Sequence, residues 1–65
     1  MKLDDIKINQ RVMVISQGYG DFFGDIMEVA GIASEDKKIN ITLKDNSGTS
    51  YDGFEPEDLQ EYKNS

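Results

Sequence analysis

The chain has 65 residues, 37% of them hydrophobic, with 13 acids against 7 bases, no histidine and no cysteine, for a net charge of −6. That length allows one domain, and a domain this small buries only about 60% of its unfolded surface. The missing cysteine excludes a disulfide framework and thiolate metal sites, and the missing histidine removes the commonest metal ligand and general base.

No stretch approaches the ~18 apolar residues of a membrane span. Met1-Lys2-Leu3-Asp4-Asp5-Ile6-Lys7 is too charged for a signal peptide. A reducing, cytoplasmic location is the expectation. The charge is unevenly placed: residues 21–36 carry five acids and no base, residues 37–44 three lysines and no acid, and residues 45–65 six acids and one lysine. Phosphate binding needs clustered Lys and Arg, so direct nucleic-acid binding is not expected, and a basic protein partner is.

In chain order, residues 1–10 form a lead-in, either irregular or one helical turn. Leu3 and Ile6 share its apolar face, with Asp4 or Asp5 as the cap. Arg11-Val12-Met13-Val14-Ile15-Ser16 reads as a strand, β-branched and apolar, with Val12 and Val14 toward the core. Gln17 to Gly24 is a loop, because three glycines break both regular periods. It carries Tyr19, Phe22 and Phe23 as a plausible contact surface, or else Phe22 or Phe23 plugs the barrel's end. Asp25 to Ala33 is a second strand. Met27 and Val29 have one parity and Ile26, Ala30 and Ile32 the other, and a bulge or bend near Gly31 would turn both sets inward.

Ser34-Glu35-Asp36-Lys37-Lys38 is a polar turn. Ile39 to Lys44 alternates cleanly, with Ile39, Ile41 and Leu43 inward. Asp45-Asn46-Ser47-Gly48 has hairpin-turn chemistry, and Thr49 to Phe54 is the returning strand with Tyr51 half-buried. Pro56 has no N–H for a ladder, so Glu55 to Leu59 becomes one 3-10 turn, with Leu59 dropping into the core. Glu61-Tyr62-Lys63 closes beside the first strand, and residues 64–65 fray.

Five short strands with a long glycine-rich first loop, two tight turns and one helical turn before the last strand resemble the SH3-like small barrel, over about Arg11 to Lys63. Gly53-Phe54-Glu55-Pro56-Glu57-Asp58-Leu59 is similar to the Gly/Phe-x-Pro-x-Asn/Asp-hydrophobic segment that forms the 3-10 turn of Src-homology-3 domains. It also resembles the closing segment of bacterial and phage SH3-like proteins. Val12-Met13-Val14-Ile15 through Phe22-Phe23-Gly24-Asp25-Ile26 resembles the V-x-V…G…G-x-I opening of KOW-type transcription-factor modules. The resemblance implies an all-β, five-stranded SH3-like barrel over residues 1–65, and a small accessory protein of a phage or mobile element. Proline-peptide-binding members carry an Ala-Leu-Tyr-Asp-Tyr-like loop and a tryptophan. This chain has Gln17-Gly18-Tyr19-Gly20-Asp21-Phe22-Phe23 instead and no tryptophan, so a polyproline groove is not implied.

Catalysis is not expected, because serine and threonine lack a base partner and a paired-carboxylate mechanism needs a deep cleft. Asp52, Glu55, Glu57 and Asp58 lie close together, and Asp45-Asn46-Ser47-Gly48 superficially resembles an EF-hand loop, but it lacks the alternating acids and the terminal Glu, so a solvated acidic turn is the expectation. No metal or cofactor is assigned. The leading expectation is a protein-binding face built from Tyr19, Asp21, Phe22 and Phe23 of the first loop with Asp52, Glu55, Glu57 and Asp58 of the closing turn. Such a face sets an apolar centre in an acidic rim and suits a basic host or partner protein. The alternatives are an acidic nucleic-acid mimic and a structural assembly component that pairs through its edge strands.

Overall fold

The structure, a computed structural model, describes residues 1–18 and 20–62. It is all-β. Strands β1 (Arg11–Val14), β2 (Ile26–Glu35), β3 (Lys38–Lys44), β4 (Ser50–Phe54) and β5 (Leu59–Glu61) form one sheet in the order β4-β3-β2-β1-β5. All four pairings are antiparallel. Among the described residues β4 and β5 are the sheet's two edges and make no ladder with each other. The described residues also form two 3-10 turns, Leu3–Asp5 and Pro56–Asp58.

The core is the set of residues whose parity faces one side of the sheet: Val12, Val14, Met27, Val29, Ile41, Leu43 and Phe54, with Ile6 and Leu59 closing its ends. β-branched and aromatic side chains suit this half-covered pleated surface. Ile39, Tyr51 and Phe22 lie partly buried against the core. Ile6 is buried and Met1 packs partly buried against the core while Leu3 is exposed, so the lead-in does not present Leu3 and Ile6 as one apolar face. Lys2 occupies the cap position of the first 3-10 turn and neither Asp4 nor Asp5 caps it with a side chain.

β1 ends at Val14, two residues short of the expected strand end at Ser16. The Ile15 N–H donates to the Asp58 carbonyl at 2.8 Å, which takes the backbone from the β2 ladder to the closing 3-10 turn. β2 runs two residues longer than its pattern because the turn to β3 is a two-residue one. Glu35 pairs with Lys38, and Asp36 and Lys37 both have positive φ, at 49° and 67°. These are the signs of a type I′ turn, whose twist matches that of the strands.

The bulge predicted near Gly31 is present one residue earlier. Val29 pairs with Leu43 and Gly31 with Thr42, leaving Ala30 as the extra residue. A one-residue insertion exchanges the faces of every later side chain. Ile32 therefore pairs with the buried Ile41 on the core side, yet it stays 38% exposed. Ile26 and Ala30 remain on the outer face, so only part of the second apolar set turns inward. A second bulge sets Asp52 and Gly53 opposite the single Thr42, and Gly53 takes φ 94°.

Candidate functional site

Three segments meet around β4. The first is the Asp45 turn. The Asp45 Oδ1 accepts from the Ser47 N–H at 2.9 Å and the Thr49 N–H at 3.0 Å, and its Oδ2 accepts from the Tyr51 hydroxyl at 3.1 Å. Gly48, at φ 88°, lets the chain turn back. Partial loss of solvent pushes the Asp45 carboxyl up, but the hydrogen bonds from the Thr49 N–H, the Tyr51 hydroxyl, and the Ser47 and Gly48 N–H groups outweigh it and hold the carboxyl below its ordinary value. The same contact with Asp45, followed by lost solvent, raises the Tyr51 hydroxyl.

The second segment is the end of the first loop. Phe22 packs its ring on Tyr51, centroids 4.7 Å apart and planes tilted by 56°, and meets Phe54 edge-on at 5.9 Å. This tilted and edge-to-face geometry is the one that aromatic quadrupoles favour. The loop is fastened by the Gly24 N–H donating to the Val14 carbonyl at 2.8 Å and the Asp25 N–H donating to the Phe22 carbonyl at 2.9 Å. Phe23, its neighbour, points away and is 52% exposed.

The third segment is the closing turn. Asp58 accepts from the Glu55 N–H at 2.9 Å, and the Asp58 N–H donates to the Glu55 carbonyl at 2.9 Å. This carboxylate holds the start of the turn, as a capping residue does. Met1 donates its amino group to the Pro56 and Leu59 carbonyls, both at 2.9 Å.

The eight residues of the expected face are not one patch. Phe22 and Asp52 do come together: they line a depression of about 420 Å³ with Thr42, Ser50 and Tyr51. Asp21 and Phe23 lie exposed on the loop beside it. Glu55 lines a different groove, facing Glu35, Asp36, Lys38 and Ile39 of the β2–β3 hairpin. Glu57 is exposed on the closing turn, and Asp58 is engaged in holding it. Tyr19 lies outside the described residues, as do Lys63 and residues 64–65.

Tyr51 and Thr42 are lining residues that sequence reasoning missed. The alternation of β3 and β4 placed them in the sheet, but nothing local said that Phe22, twenty-nine positions before Tyr51, would cover that ring. Among the described residues no group of three or more acids converges to hold a metal ion. No described helix is long and apolar enough to cross a membrane. No protein-family model, no curated protein and no solved structure matches the chain.

Proposed function

We propose that the chain is a non-catalytic protein-interaction module on an SH3-like barrel scaffold, and that it binds a basic partner through the first loop and β4. The order of elements supports the scaffold: a four-strand antiparallel meander, β1 to β4, then a 3-10 turn, and β5 returning beside β1. The observation that carries the function is the division between the two adjacent phenylalanines. Phe22 is spent on Tyr51 and Phe54, and this fixes the loop; Phe23 is left half in solvent next to Asp21. An exposed aromatic ring on a fastened loop, with exposed Asp21 and Asp25 two residues to either side in sequence, is a contact of the kind that anchors interfaces. The chain has no histidine or cysteine to act as base or nucleophile.

The test places a photocrosslinking residue at position 23 and, as a control, at position 8, in cell extract. The expected product is one protein with a basic surface, joined from position 23 and not from position 8. Equal, unselective labelling from both positions is the result that rejects the reading.

A further inference from the structure

We propose that the depression between the first loop and β4 is an anchor pocket for one arginine side chain of the partner, its guanidinium seated against the Phe22 and Tyr51 rings and paired with the Asp52 carboxylate. The inference rests on the protein-binding reading above and adds the chemistry of the contact.

Phe22 and Tyr51 are among the lining residues, and their rings pack on each other tilted by 56° with centroids 4.7 Å apart, an aromatic pair whose free face offers π density to a planar cation. The only charged residue among the lining ones is an acid, Asp52; Thr42 and Ser50 add hydroxyl groups. Lys44 pairs across the sheet with Ser50, and its ammonium lies 3.6 Å from the Glu28 carboxylate. Tyr51 donates its hydroxyl hydrogen to the Asp45 carboxylate, and this contact raises electron density in the ring that a cation would face. The charge of the whole chain, −6, draws the same kind of ligand. Arginine fits better than lysine, because its weakly hydrated plane stacks on rings while its fork of N–H donors meets a carboxylate at two points.

The test is an NMR titration of the ¹⁵N-labelled protein with acetyl-Gly-Arg-Gly-amide and with the citrulline peptide of the same shape, at fixed ionic strength. The arginine peptide is expected to give saturable shifts at the Phe22, Tyr51 and Asp52 amides, and the citrulline peptide none. Asp52→Asn is expected to weaken the arginine peptide about five-fold. Phe22→Leu, checked by thermal unfolding to be folded, is expected to weaken it as well. Equal shifts from citrulline, shifts spread evenly over Glu55, Glu57 and Asp4, or no saturable shift would overturn the pocket. A partner that crosslinks from position 23 and binds Asp52→Asn as tightly as the wild type would also overturn it, while leaving the protein-binding reading intact. Conversely, an arginine peptide seated at Phe22 and Tyr51, with no selective crosslinking from position 23, would leave the pocket standing and reject that reading.

Discussion

The Tyr51 hydroxyl donates to Asp45 Oδ2 at 3.1 Å, so the first inward ring of β4 is tied to the residue that begins the preceding turn. That one contact links the hairpin's tip to the aromatic cluster, because the other side of the same ring carries Phe22. Any change at Asp45 therefore reaches the first loop through a single side chain.

The pH dependence of stability follows from this pair. Asp45 sits below its ordinary value of 3.8 in the folded protein, so its contribution is present above that value and is lost as pH falls through the lower, folded one. Tyr51 sits above its ordinary value of 10.0, so its contribution is present below that value and is lost as pH rises through the higher, folded one. Urea midpoints measured from pH 7 down to pH 2 are expected to fall less steeply for Asp45→Asn than for the wild type. Midpoints from pH 9 upward are expected to fall less steeply for Tyr51→Phe.

The two phenylalanines are expected to separate in a thermal unfolding experiment. Phe22→Ala removes a partly buried ring with two aromatic neighbours and should destabilise the fold by about 2 kcal/mol. Phe23→Ser changes an exposed ring and should stay within about 0.5 kcal/mol of the wild type.

The β2–β3 turn is a place to gain stability. Asp36 tolerates its positive φ, but Lys37 holds one, at 67°, with a side chain that disfavours it. Asn-Gly is the pair such a turn prefers. The double substitution Asp36→Asn, Lys37→Gly should raise stability by about 0.5–1 kcal/mol, read as a shift in the urea midpoint with an unchanged slope.

Gly31 and Gly53 both lie beside bulges, and they should respond oppositely to alanine. A Cβ on Gly31 would meet Thr42 Cβ at 3.6 Å, an ordinary contact, so Gly31→Ala should be neutral or raise stability by up to about 1 kcal/mol. Gly53 holds φ 94°, and its N–H donates to Asn40 Oδ1 at 2.8 Å, so Gly53→Ala strains a fixed backbone and should destabilise the fold by about 1–2 kcal/mol. Differential scanning calorimetry of the two variants checks both signs.

The parts of the fold that could be read in the sequence are those governed by local periods. Ile41 and Leu43 of β3 and Val12 and Val14 of β1 are fully buried where alternation and β-branching put them. Pro56 opens the 3-10 turn that its missing N–H demands, and Leu59 is buried after it. Tyr51 is half-buried, as its place in the returning strand suggested. The faces of β2 were harder, because the bulge at Ala30 exchanges them midway and leaves no signature except the nearby glycine. The candidate site was legible in composition and not in arrangement. Phe22 and Phe23 are adjacent and chemically identical, and only the pairing of β3 with β4 decides which ring finds Tyr51. Asp58 looked like its acidic neighbours until the backbone of Glu55 supplied its hydrogen bond.

The most direct test of the interaction face is an amide hydrogen-exchange footprint of the partner captured from position 23. The account predicts added protection at residues 20–24 and 50–53, with Arg11, Glu28 and Gln60 unchanged. Protection confined to β5 or to the outer face around Arg11 and Ile26, with the first loop unaffected, would contradict it.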